Sequence, residues 1–107
     1  MTTAKKMAIW MDHSNAHLME FTTDLITMDI LHNRPRQKPL EYYKRIGDVI
    51  KNYEHVLLFG PTNAKTELIT MLEADQGFDK IRLETKDSDK MTQNKQHEFV
   101  RDHFFQP

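Results

Sequence analysis

At 107 residues and 38% hydrophobic side chains, the chain has the size of one domain with a modest core, so residues 1–107 read as a single unit. The 15 Lys and Arg against 16 Asp and Glu give a formal net charge of -1, which excludes the global basic field of a dedicated nucleic-acid binder and confines any such contact to a local patch. Cysteine is absent, which excludes disulfides, thiolate catalysis and cysteine-based zinc sites and agrees with a cytoplasmic location. The charged start Met1 to Lys6 is followed only by Met7 to Met11 before Asp12 and His13, too short for a signal-peptide core. No segment approaches the roughly 20 apolar residues of a membrane span, so no membrane partner is expected.

Residues 7 to 33 predict a three-stranded meander, because apolar side chains recur at period two and turn formers break the runs. Met7, Ile9 and Met11 share one face of the first strand. The string Asp12-His13-Ser14-Asn15 turns the chain into Ala16 to Phe21, and Thr22-Thr23-Asp24 turns it into Leu25 to Leu31, with Ile26, Met28 and Ile30 on one face. His32 to Pro39 carries two prolines and three basic side chains with nothing to pack, which predicts an exposed basic loop. Leu40, Tyr43, Ile46, Val49, Ile50 and Tyr53 then recur at helical spacing, with Pro39 at or near the first helical position.

His55 to Phe59 is an uninterrupted apolar run that suits a central strand buried on both faces. A second helix is predicted from about Thr62 to Ala74, with Leu68, Ile69, Met71 and Leu72 inward and Gly77 beyond its end. Lys80 to Thr85 alternates and predicts a half-buried or edge strand with outward charges that discourage pairing between molecules. Asp87-Ser88-Asp89 supplies capping side chains for a last helix through Phe105, with Met91, Phe99, Val100 and Phe104 inward. The order β-β-β-α-β-α-β-α implies an α/β fold: an RNase H-like, mixed five-stranded sheet with right-handed crossovers and helices on its faces.

The strand-turn-helix segment Val56-Leu57-Leu58-Phe59-Gly60-Pro61 with Lys65 behind it, Tyr42-Tyr43-Lys44-Arg45-Ile46-Gly47 before it and the strand Ile81-Arg82-Leu83 after it together resemble the middle domain of the archaeo-eukaryotic peptide-chain release factors and of Pelota. The tail from Asp89 to Val100 is similar to those of small bacterial members. The resemblance implies a translation-related role with the ribosome or structured RNA as partner. Release factors carry a Gly-Gly-Gln tip between the third strand and the first helix, whose glutamine supports ester hydrolysis. Here the corresponding loop, Asn33 to Pro39, has Gln37 and no glycine, so peptide release is not expected, whereas Pelota-type proteins act on ribosomes without the tripeptide.

Two segments are candidates for RNA contact. At the turn, Gly60, Thr62, Asn63 and Lys65 suit one phosphate docked at a helix N-terminus, the alternative being a helix capped by Thr62 or Asn63 with Lys65 solvated. The turn lacks the second glycine and Lys-Ser/Thr pair of a P-loop, which excludes an NTPase. In the basic loop, Arg34, Arg36 and Lys38, extended by Lys44 and Arg45, suit an RNA backbone, the alternative being a solvated loop. Helical spacing puts Tyr43 in the core and leaves Tyr42 free to stack on a base.

Other chemistries find less support. Asp12 and Glu41 are the acids a two-metal nuclease would use, yet the fourth strand ends in Phe59-Gly60 where another acid is required, and Asp12 reads as an Asx-turn residue. None of the six histidines is paired at i, i+4 on a helix; His13 and His17 straddle a hairpin turn, and His97 and His103 lie on different helix faces. Surface or turn histidines without a metal are therefore expected, and no cofactor. Ser14 and Ser88 sit in polar turn strings and not on a nucleophile elbow. Met7, Met11, Met19, Met28 and Trp10 read as core, any exposed remainder favouring a homodimer. The reading is a non-catalytic RNA- or ribosome-binding domain; the alternatives are a diverged hydrolase using Gln37, a nuclease using Asp12, and a dimerisation module.

Overall fold

Alternation in the first third of the chain becomes three antiparallel strands, β1 (Lys6–Met11), β2 (Asn15–Thr22) and β3 (Leu25–His32), in a computed structural model that describes residues 6–22, 25–32 and 39–104. Helix α1 (Pro39–Ile50), strand β4 (His55–Gly60), helix α2 (Ala64–Glu73), a 3-10 turn at Gln76–Phe78, strand β5 (Arg82–Asp87) and helix α3 (Gln93–Phe104) complete the predicted order. The five strands form one sheet in the order β3-β2-β1-β4-β5, with β4 parallel to both β1 and β5.

The connections explain the layers. From β3 through α1 to β4, and from β4 through α2 to β5, the chain steps across the sheet in the same direction. Crossovers of one hand that step the same way lie on the same face. Tyr42, Tyr43, Ile46 and Ile50 of α1 and Ala64, Leu68 and Leu72 of α2 accordingly share one core with Met7, Ile9, Met11, Val56 and Leu58. Helix α3 returns over the other face, where Val100 and Phe104 pack on Ala8, Trp10, Met19, Phe21, Leu57 and Phe59. Strand β4 is covered on both sides, as its unbroken apolar run requires, and each large side chain so buried contributes about 1.5–3 kcal/mol.

Several boundaries move for visible reasons. Helix α1 ends at Ile50, and Tyr53 lies beyond it, half-buried, with its hydroxyl donating to Glu20 Oε2 at 3.0 Å. Strand β5 starts at Arg82 rather than Lys80, because the buried Phe78 plugs the first core and its carbonyl accepts the Ile81 N–H at 3.1 Å, holding that stretch in a turn. The expected caps Asp87-Ser88-Asp89 do not serve α3. Strand β5 runs into Asp87, the Ser88 N–H donates to the Gly60 carbonyl, and Thr92 Oγ1 accepts the Lys95 N–H at the start of the helix. Ile30 is 37% exposed, the one exposed large hydrophobic among the described residues; it sits on the edge strand, away from the β1 and β4 side chains under α3.

Gly60 closes β4 with φ +154°, and a Cβ there would lie 2.2 Å from the Met11 carbonyl oxygen. The parallel neighbours β1 and β4 therefore end against each other at a point where only hydrogen fits. Gly60→Ala is expected to lower stability by about 3 kcal/mol or more, read as a fall in the urea midpoint at unchanged slope. Gly77→Ala, which would meet only the flexible Asp75 side chain, serves as the comparison and should cost much less.

Candidate nucleic-acid interface

The carboxyl ends of β1, β3, β4 and β5 and the amino end of β2 meet at one end of the sheet. Residues 12–14, 61–63 and 88–92 emerge there and β3 ends there, the place where open α/β sheets most often bind ligands. Arg34, Arg36, Gln37 and Lys38 lie outside the described residues, between His32 of β3 and Pro39 of α1. Lys44 and Arg45 are exposed on α1, and Arg45 Nη2 donates to the His32 carbonyl at 2.6 Å, tying the helix to the strand end from which the basic loop departs. Strands β3 and β4 are three positions apart in the sheet, so the loop and the Gly60 turn start about 14 Å from each other at the usual strand spacing.

Tyr42 is not free to stack on a base. Its ring is fully buried, and its hydroxyl donates to the Asp12 carbonyl at 3.0 Å, so both neighbouring tyrosines belong to the core. Burial, followed by the nearby Asp12 charge, raises the Tyr42 phenol well above its ordinary range. Tyr43 is raised likewise, by burial first and then by its hydrogen bond to Glu67, and burial pushes Tyr53 up to about 12. The phenols act as neutral donors: Tyr42 pins α1 to the first turn, Tyr43 pins it to Glu67 of α2, and Tyr53 ties the segment after α1 to Glu20 of β2.

Lys65 also departs from both of its expected roles. It is 4% exposed, and Nζ donates to the Thr62 carbonyl at 2.7 Å and the Gly60 carbonyl at 3.2 Å while pairing with Asp87 Oδ1 at 2.9 Å. Three partners match the three donors of an ammonium, so the charge is spent inside the turn. Thr62 Oγ1 accepts the Ala64 N–H at 3.2 Å, whereas Asn63 is exposed and makes no side-chain cap. The depression beside the turn is lined by Gly60, Pro61, Asp87, Ser88 and Asp89, and its two carboxylates weaken the attraction that a phosphate would feel there.

Asp12 is the Asx-turn residue that the sequence implies: Oδ1 accepts the N–H groups of Ser14 at 2.8 Å and Asn15 at 2.7 Å. Among the described residues, the group of three side chains able to ligate a metal together lies elsewhere, at His55, Glu84 and His103. Glu84 Oε2 accepts from His55 Nε2 at 2.8 Å and His103 Nε2 at 2.6 Å, and Oε1 accepts from Arg82 at 3.1 Å. These histidines are neither surface nor turn residues: their side chains are 18% and 14% exposed. No local spacing signals the cluster, because its members come from β4, β5 and α3. Gln96 was missed for the same reason; it is buried, meets His17 Nδ1 through Oε1 at 2.9 Å and donates from Nε2 to the Met91 carbonyl.

No family model and no curated protein sequence matches the chain. Solved structures match it over most of its length. Pelota of Archaeoglobus fulgidus superposes with a TM-score of 0.72 at 10% identity, over 95% of this chain and 32% of that protein. Dom34 of S. cerevisiae, described as a translation termination-like factor involved in RNA quality control and interacting with Hbs1, gives 0.67 at 12% over 94% and 33%. The archaeal translation termination factor aRF1 gives 0.63 at 17% over 83% and 31%. The chain thus has the fold of a segment about one third the length of these factors, and the resemblance carried by Tyr42 to Gly47 and Val56 to Lys65 is borne out as a likeness of fold.

Two stability measurements check this geometry. Lys65→Met should cost about 1–3 kcal/mol by leaving the Gly60 and Thr62 carbonyls without their donor, while Asp87→Asn leaves the unfolding midpoint nearly unchanged because Asp87 is 98% exposed. Glu84 is lowered from 4.5 to about 2, first by its hydrogen bond from His55 and then by that from His103, against the opposing effect of burial. A depressed carboxyl favours the folded state once ionised, so its contribution is complete above about pH 5 and is lost as the pH falls toward 2. Urea midpoints across that range should fall less steeply in Glu84→Gln than in the native chain.

Proposed function

We propose that this chain is a non-catalytic, translation-related domain that binds ribosomal or transfer RNA through the sheet end bearing the basic loop, in the cytoplasm. The observation that carries the reading is positional. A segment with Arg34, Arg36 and Lys38 leaves the sheet between β3 and α1, where the release factors it resembles place their reactive tip, and Lys44 and Arg45 extend its charge along α1. Likeness of fold to translation termination-like factors supports the same process.

The division of labour follows from the chemistry. Guanidinium and ammonium groups grip backbone phosphates without reading sequence, so affinity depends on salt and on how many phosphates are met together. Arg45 ties α1 to the end of β3 through the His32 carbonyl, so its substitution acts on that contact as well as on charge. Thr62 and Asn63 at the neighbouring turn supply polar contacts, with Lys65 shaping the backbone beneath them. Tyr42 contributes by anchoring α1 and not by stacking.

Co-sedimentation with purified ribosomes across a salt series tests the reading. The native chain should pellet at low salt and be released as salt rises, and charge reversal of Arg34, Arg36 and Lys38 together should flatten the log–log salt slope by about two to three units. Retention in the supernatant at the lowest salt, or an unchanged slope in a variant with native circular dichroism, overturns it.

A further inference from the structure

We propose that His55, Glu84 and His103 form a binding site for a single divalent transition-metal ion of the zinc class, which fastens the last turn of α3 to strands β4 and β5. The inference is independent of RNA binding and concerns the opposite end of β4, where His55 is the first strand residue.

Two imidazoles converge on one carboxylate oxygen through the same type of atom. The Nε2 atoms of His55 and His103 lie 2.8 Å and 2.6 Å from Glu84 Oε2, and all three ligand atoms fall within 4.8 Å of one another. Zinc bonds of about 2.0–2.2 Å in a tetrahedron separate neighbouring ligand atoms by about 3.3 Å. Each contact to Oε2 therefore needs to open by about 0.6 Å, within the reach of small side-chain rotations. Two nitrogens and one oxygen select zinc and its neighbours over magnesium and calcium, which prefer all-oxygen shells. Three protein ligands leave a fourth position for water, and the cluster is close enough to solvent for one to reach it.

The surroundings preset the ligands. Phe104 stands edge-on to both rings, with centroids 5.1 Å from His55 at 85° and 5.1 Å from His103 at 76°, and so restrains their planes. Arg82 holds Oε1 and leaves Oε2 directed at the imidazoles, the outer support that ligating carboxylates ordinarily have. The Glu84 carboxyl stays ionised throughout the physiological range. Opposing charge comes from Arg82 and from the Lys6 ammonium 5.7 Å from the Phe104 ring centre, which temper the affinity. On binding, each neutral ring moves its proton from Nε2 to Nδ1 with no net release.

Calorimetric titration of the untagged native chain with zinc sulfate near neutral pH tests the assignment. One equivalent should bind and raise the thermal midpoint, and His103→Gln or Glu84→Gln should weaken binding at least about tenfold. His13→Gln, which alters the exposed pair with Glu67, should leave it unchanged. Ring-proton NMR of the native chain provides a readout independent of any variant's folding, with zinc expected to shift His55 and His103 and to spare His13 and His17. Absence of one-equivalent binding, equal affinity in a folded His103→Gln, or shifts confined to other histidines overturns the proposal.

Discussion

The parallel pairing of β1 with β4 is the constraint on which the molecule rests. It joins an N-terminal antiparallel meander to a βαβ unit, runs from Lys6 beside His55 to Trp10 beside Phe59, and ends where Gly60 meets the Met11 carbonyl. Met7, Ile9, Val56 and Leu58 face α1 and α2, while Ala8, Trp10, Leu57 and Phe59 face α3. Because the pair is parallel, both strands deliver their carboxyl ends to the same edge of the molecule, and the loops that follow them collect there. Around Gly60 the backbone is further gathered by the buried Lys65 ammonium, which holds two carbonyls at once.

What was legible in the sequence follows from local physics. Period-two alternation and turn formers located the meander, the unbroken run of β4 announced a strand covered on both sides, and the order of elements implied the mixed sheet. Side chains whose partners lie far along the chain were not legible. Tyr42 and Tyr43 occupy adjacent helical positions, and spacing alone spared only one of them; that Tyr42 is buried depends on the Asp12 carbonyl thirty residues earlier. Lys65 looked solvated or phosphate-bound because nothing local predicts that β5 will bring Asp87 alongside it. Gln96 meets His17 from seventy-nine residues away, and the imidazole–carboxylate cluster draws on three elements.

The two ends of the sheet consequently differ in character. At the carboxyl end lie short polar turns and the end of β3 that the basic segment follows in sequence, and the acids near Gly60 are partly balanced by Lys65. Near the other end, imidazoles, a carboxylate and Phe104 pack between the sheet and α3, shielded but not sealed from water. A charged surface suits reversible contact with a polyanion, whereas converging, partly desolvated ligand atoms suit a small cation. The fold is shared with segments of translation factors, yet fold alone confers neither property, and each depends on side chains particular to this chain.

An amine-reactive crosslink map of the chain bound to ribosomes tests the central claim that the carboxyl end of the sheet is the contact surface. Links through Lys38, with Lys51 and Lys80 at the opposite end remaining unlinked, are the predicted result. Links concentrated at Lys51 and Lys80, with Lys38 unlinked, would contradict it.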